Sequence, residues 1–151
     1  MHPVPHAVFE AILETAAEEP HPPGASLAKR LEDGLREQFA DVGERDNWRD
    51  CGWSVTVQCE ALRIQVYFAP YAQEGNWLLA IAPETAPGVL ARLFGRKAPI
   101  AAPELQRVSS VVHEILTQLP QVQGIHWMLG GPPEKVPHAP SPGKLAWDAG
   151  L

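Results

Sequence analysis

The chain has 151 residues, of which 45% are hydrophobic and 20% charged, a size and composition typical of one globular domain. Its formal net charge of -6 argues against a nucleic-acid-binding surface, which normally carries a basic patch, and favours a basic partner. No apolar run approaches the roughly 20 residues that span a bilayer, and the N-terminus does not read as a secretory signal, so we expect a cytoplasmic protein without a membrane role.

Two helices are predicted before any strand. Apolar residues recur at helical spacing between His6 and Glu18, and the prolines that follow end this helix. A second helix is predicted from a cap at Ser26 to a stop at Gly43. One apolar stripe, interrupted by Gly34, runs along it. The stripe consists of Leu27, Leu31, Leu35, Phe39 and Val42.

The opposite side of the second helix carries four acidic residues within about 80° of arc, at about 100° per residue. This acidic stripe consists of Asp33, Glu37, Asp41 and Glu44. One interpretation is a solvated surface, partly neutralised by basic residues three or four positions away. The other is a partner-binding surface for a basic protein, because complementary charge speeds association.

The segment 52–83 predicts a three-stranded antiparallel meander, because apolar and polar residues alternate in three runs separated by turns. The third run is apolar on both sides, as in central strands. The polar side of the first two runs, joined by a later strand, predicts a second partner-binding surface, here called the outer face. Its residues are Thr56, Gln58, Arg63, Gln65, Tyr67, His126 and Met128. Tyrosine, methionine and arginine are enriched at protein interfaces, although a plain solvent face or a surface under the first helix remains an alternative.

A third helix is predicted from Pro103 to Pro120, and a fourth strand follows with Ile125, Trp127 and Leu129 facing inward. Because a helical crossover joins strands three and four, we expect them to be parallel in a mixed sheet. The apolar stretch 87–99 is either a core-capping segment or an exposed projection.

The predicted fold is therefore α+β: a mixed, mostly antiparallel four-stranded sheet with two to three helices, in the order α-α-β-β-β-α-β. Residues 1–129 form the predicted domain, and 130–151 form a proline- and glycine-rich tail. We expect Trp147, near the end of this tail, to fold back onto the domain.

The sequence carries no recognisable catalytic, metal-binding or nucleotide-binding motif. His113 and Glu114 begin an H-E-x-x-H pattern, but Thr117 stands where the second histidine is required. Cys51 and Cys59 would lie roughly 26 Å apart in an extended run, too far for a disulfide. We therefore predict a non-enzymatic protein without metal or cofactor.

The small size, acidity and order of elements resemble those of two groups of bacterial proteins. These are the small cytoplasmic immunity proteins that neutralise secreted toxins, and the secretion chaperones. The resemblance covers most of the chain and rests on layout rather than on a motif. It implies a binding protein with no chemistry and a partner encoded close by. The chain departs from the chaperones by its two helices before the meander and by its tail, where the chaperones have a further strand and a closing helix.

We therefore predict an immunity protein that binds another protein and occludes it, as a monomer or homodimer. Two alternatives stay open. One is a secretion chaperone that acts as a homodimer. The other is a small-ligand binder or enzyme that uses Arg63, Tyr67 and His126 on the outer face.

Overall fold

The computed structural model describes residues 4–12, 24–48, 51–59, 62–83, 102–130, 133–145 and 147. In this part of the chain, two helices pack against one face of a six-stranded sheet, and the predicted α+β class is confirmed. The strands are β1 (Pro5–Ala11), β2 (Asp46–Trp48), β3 (Gly52–Cys59), β4 (Leu62–Pro70), β5 (Asn76–Pro83) and β6 (Val122–Leu129). The helices are α1 (Ala25–Gln38), α2 (Ala102–Thr117) and a short 3₁₀ turn at Pro142–Lys144.

The sheet has the order β2-β3-β4-β5-β1-β6, and each strand pairs antiparallel with its neighbours. The predicted meander is confirmed by β3, β4 and β5. The predicted mixed sheet of four strands is wrong. β5 and β6 do run in the same direction, but β1 lies between them and is antiparallel to both. The crossover therefore skips one strand position, and the described sheet contains no parallel pair.

The first predicted helix is wrong over the residues that can be described, because β1 occupies its beginning as a central strand. Ala7, Phe9 and Ala11 are buried on the helix side, whereas Glu10 is exposed on the other side. Both periods, two and 3.6, fit such a short apolar run. The strand prevails because β5 and β6 supply hydrogen-bonding partners on both sides. The rest of the predicted helix, residues 13–18, lies outside the described residues.

The second predicted helix exists as α1 but is shorter. It begins after Gly24, whose φ of 101° is left-handed, so Ser26 is already helical and is not the cap. It ends at Gln38, and Phe39 takes an extended conformation. The buried stripe of leucines is confirmed, because Leu27, Leu31 and Leu35 are all fully buried.

Gly34 interrupts that stripe because α1 and α2 approach closely there. A Cβ at this position would lie 2.6 Å from Cδ1 of Ile115 on α2. The predicted seam of α2 is confirmed. Its residues Leu105, Val108, Val112 and Ile115 are all buried, as is Leu119, which follows the end of α2 at Thr117 rather than lying within the helix. No helix in the described part of the chain is long and apolar enough to cross a membrane.

The strand β6 is buried differently from the prediction. Trp127 faces the core as expected, but Met128, expected on the outward side, is also fully buried. Residues after the sheet pack against it as well. The backbone of Ala139 exchanges two hydrogen bonds of 2.7 Å with Trp127. Trp147 packs against the core and donates to the Pro142 carbonyl at 2.8 Å, so the chain folds back as expected.

The two cysteines differ in exposure, and neither forms a disulfide. Cys51 is exposed, whereas Cys59 is buried. The apolar stretch 87–99, whose role was left open, lies outside the described residues.

Candidate functional site

Side chains of the outer face share one side of the sheet, opposite the helices. Gln58 lies directly across from Arg63, and Thr56 lies across from Gln65. Tyr67 follows on the same side of β4, at half-buried depth. The predicted surface from β3 and β4 is therefore assembled as expected, with Arg63 exposed at its rim.

His126 lies on the same side of the sheet but far from this cluster. Tyr67 on β4 pairs with Ala80 on β5, Ala80 pairs with His6 on β1, and His6 pairs with Met128 on β6. The strands β5 and β1 therefore separate β4 from β6. Three strand spacings of about 4.8 Å place β6 roughly 14 Å from β4. His126 is exposed there, with its ring centre 5.6 Å from that of His138. The structure therefore does not bring Arg63, Tyr67 and His126 into one small site.

The acidic stripe is not a helix face, because α1 ends before two of its four residues. Asp33 is exposed on α1 and pairs with Lys29 at 3.2 Å, and Glu37 is exposed on the same helix. Asp41 and Glu44 lie beyond the end of α1, in the connection to β2, and are exposed. The prediction of one continuous helical stripe is therefore wrong.

Asp41 instead joins the outer face at a depression of about 250 Å³ beside β3 and β4. This corner depression is lined by Asp41, Gly43, Thr56, Gln58 and Arg63. It brings together one member of the acidic stripe with three residues of the outer face. The acidic stripe and the outer face, which the sequence presents as separate surfaces, thus meet at this depression.

Backbone pairing fixes the loop that forms one wall of the corner depression. The amide of Gly43 donates to the Thr56 carbonyl at 2.8 Å, and the amide of Gln58 donates to the Asp41 carbonyl at 2.9 Å. Between these two hydrogen bonds, Val42 pairs with Val57 in an antiparallel β-bridge. Residues 41–43 therefore extend the sheet beyond the edge of β3.

A buried carboxylate secures the same loop from the helix side. Glu32 is 4% exposed, and its Oε1 lies 2.9 Å from Nη1 of Arg36. Its Oε2 accepts hydrogen bonds from the amide of Arg45 at 3.1 Å and from Nη1 of Arg45 at 3.2 Å. These contacts tie the end of the loop to α1.

Glu32 was not among the residues predicted from the sequence, although its position on α1 carries a signal for it. At about 100° per residue, Glu32 projects within roughly 60° of Ala28 and Leu35, on the apolar side of α1. A charged residue on an apolar helix face is rarely buried without a partner. An arginine farther along the chain could therefore have been expected to reach it.

A second buried polar contact lies on the helix side of the sheet. Nε1 of Trp127 donates to Nδ1 of His113 at 3.0 Å, so that nitrogen carries no proton. Burial lowers the pKa of His113, and the neighbouring Glu114 partly opposes this shift. The contact joins α2 to β6 and faces away from the corner depression.

In the part of the chain that the structure describes, no group of three or more histidine, cysteine, aspartate or glutamate side chains could hold a metal ion. No protein-family model, curated protein or solved structure matches the chain.

Proposed function

We propose that the chain is a non-catalytic protein-binding module of the bacterial cytoplasm, and that it is an immunity protein that neutralises a secreted toxin by occluding it. The observation that carries this proposal is the outer face. Both described helices pack on the other side of the sheet, so β4 presents Arg63, Gln65 and Tyr67 away from the helix layer.

The chemistry of this face suits recognition of another protein. Tyrosine and arginine are enriched among residues that dominate binding energy, and glutamine amides can both donate and accept hydrogen bonds. Gln58, Arg63 and Tyr67 also take part in further interactions within the protein.

Charge supports a basic partner. The net charge of -6 and the exposed acids Asp41 and Glu44 beside the outer face would attract a cationic surface. Long-range attraction of this kind raises the association rate more than it deepens affinity, and it weakens with salt.

The test is capture of the partner from the native cell by tagged protein, followed by a high-salt wash. We expect one stoichiometric partner, lost from the double variant Arg63→Ala, Tyr67→Ala and kept by Arg30→Ala, an exposed arginine on α1. The purified partner should be toxic when expressed alone and harmless when co-expressed with this protein.

Each result bears on a different part of the proposal. Retention by the double variant would reject the outer face as the interface. A partner without toxicity would reject the immunity function but keep the binding module. A stable homodimer that holds a secreted protein would instead favour the secretion chaperone.

The corner depression favours a second candidate, a small-ligand binder. It combines one carboxylate and one guanidinium in a concave site, which is suited to a small polar molecule. A metabolite that binds there without any protein partner in the native cell would support this function over the first.

A further inference from the structure

We infer that the corner depression receives a basic side chain, lysine or arginine, of the partner protein. This inference deepens the proposed function and rests on it. Three features of the depression carry it: its size, the commitment of its amide donors, and the sign of the charge on its rim.

The size fits one side chain. The depression has a volume of about 250 Å³, below the roughly 300–1,000 Å³ of sites that hold cofactors and drug-sized ligands. A protein partner that covers the outer face would project a single residue into a recess of this size, as anchor residues do at interface centres.

Two backbone amide donors at the depression are already used within the sheet. Sites for phosphate and carboxylate ligands rely on backbone amides that point at the ligand. Here the amides of Gly43 and Gln58 donate to the carbonyls of Thr56 and Asp41. Arg63 is the one cation in the lining, and it takes part in a further interaction within the protein.

Two oxygen acceptors of the lining favour a cation. The carboxylate of Asp41 and the hydroxyl of Thr56 can each accept a hydrogen bond from an ammonium or guanidinium group. A cation therefore finds a carboxylate and a hydroxyl, whereas an anion would face the Asp41 carboxylate.

The loop that forms one rim of the depression is acidic, because the arginine of this loop, Arg45, contacts a buried carboxylate. The loop from Asp41 to Asp46 contains three exposed acids and one cation, Arg45. Arg45 contacts the buried Glu32. Within the described residues, the acids that form ion pairs are Glu32 and Asp33, so Asp41, Glu44 and Asp46 keep their charge uncompensated by a paired cation. Glu32 thus leaves the rim more negative than its sequence suggests.

The test uses small probes of known charge and backbone amide NMR of the full chain. The probes are N-acetyl-arginine amide and N-acetyl-lysine amide, with N-acetyl-glutamine amide as the uncharged comparison and N-acetyl-glutamate amide as the acidic one. We expect saturable shifts of the Gly43 and Gln58 amides with a basic probe, with a dissociation constant on the order of 1 mM. Binding of one basic probe in preference to the other identifies the side chain.

Variants separate the site from general attraction to an acidic protein. Asp41→Asn should weaken the basic probe about fivefold, the effect of losing one close charge pair near a protein surface. Asp33→Asn, which removes an exposed acid on α1, should leave binding unchanged. Thr56→Val, which removes an acceptor while retaining volume, should weaken binding without changing the net charge.

Failure of this inference is distinguishable from failure of the proposed function. Equal shifts with the acidic or uncharged probe, or no saturable shift with either basic probe, would overturn the inference even if the protein partner is captured through Arg63 and Tyr67. Equal weakening by Asp41→Asn and Asp33→Asn would overturn it too. Absence of any captured protein partner would reject the proposed function whatever the probes do.

Discussion

Replacement of Glu32 by alanine should destabilise the protein by about 2 kcal/mol. The substitution removes one charge-assisted hydrogen bond to a backbone amide and ion pairs with Arg36 and Arg45. Loss of a hydrogen bond to a charged group accounts for about 1.5–3 kcal/mol. Breaking a fully buried ion pair would cost about 3–5 kcal/mol, but the arginine side chains are 45% and 38% exposed and regain water. The lower range therefore applies.

The assay is urea unfolding followed by circular dichroism, with thermal unfolding as a second measure. For a chain of this length, a loss of about 2 kcal/mol lowers the Tm by roughly 4–8 °C. Asp33→Ala is the matched control, because it removes an i,i+4 ion pair from the same helix. The side chains of Lys29 and Asp33 are 62% and 51% exposed, so loss of their ion pair should cost about 0.3–0.5 kcal/mol.

The amides of Gly43 and Gln58 give a local readout of the same substitution. Their hydrogen exchange should speed up in Glu32→Ala before global unfolding, because the loop has lost its tie to α1. Equal destabilisation by Glu32→Ala and Asp33→Ala would refute the assignment of the buried carboxylate as the anchor of the loop.

Substitutions at His113, Gly34 and Gly52 give three further predictions. Burial lowers the pKa of His113 in the folded protein below its unfolded value of 6.5. Between the folded and unfolded pKa values the unfolded chain therefore binds more protons than the folded chain, so the free energy of unfolding should fall as the pH drops below 6.5. His113→Asn, which keeps an acceptor for its indole partner, should flatten that fall in urea titrations; an unchanged pH dependence would contradict this. Gly34→Ala should destabilise the protein by about 1–2 kcal/mol through overpacking, yet become stabilising in the Ile115→Ala background, and the same sign in both would argue against the close helix contact. Gly52→Ala places a Cβ against the backbone oxygen of Phe68 and should cost more than about 3 kcal/mol in the same unfolding assay, whereas Gly143→Ala, with no atom of the described residues within 4 Å, should be neutral.

The meander could be predicted because each of its strands carries a clear local signal. Alternation in β3 and β4 indicates one buried side, and the two apolar sides of the run from Trp77 indicate a central strand, which β5 is. The course of β1 could not be predicted in the same way. Its seven residues fit both periods, and its pairing partners lie about 70 and 120 residues away in the chain.

The candidate site, too, could be predicted only in part. The shared side of Thr56, Gln58, Arg63 and Gln65 follows from the period of two once β3 and β4 pair. The corner depression does not follow, because it depends on where α1 ends. Apolar spacing continues through Phe39 and Val42, so periodicity alone extends the helix, whereas pairing of Val42 with Val57 redirects the chain onto the sheet.

The backbone pair between Trp127 and Ala139 has a practical consequence for work with shortened forms of the protein. β6 is the last strand of the sheet, and an uncovered edge strand offers its peptide groups to other chains, which promotes aggregation. Ala139 occupies the Trp127 position of that edge. A protein cut after residue 130 would lose this cover and could join edge to edge with a second copy. A dimer observed with such a truncated protein would reflect the exposed strand, and it would be mistaken for the homodimer expected of a secretion chaperone.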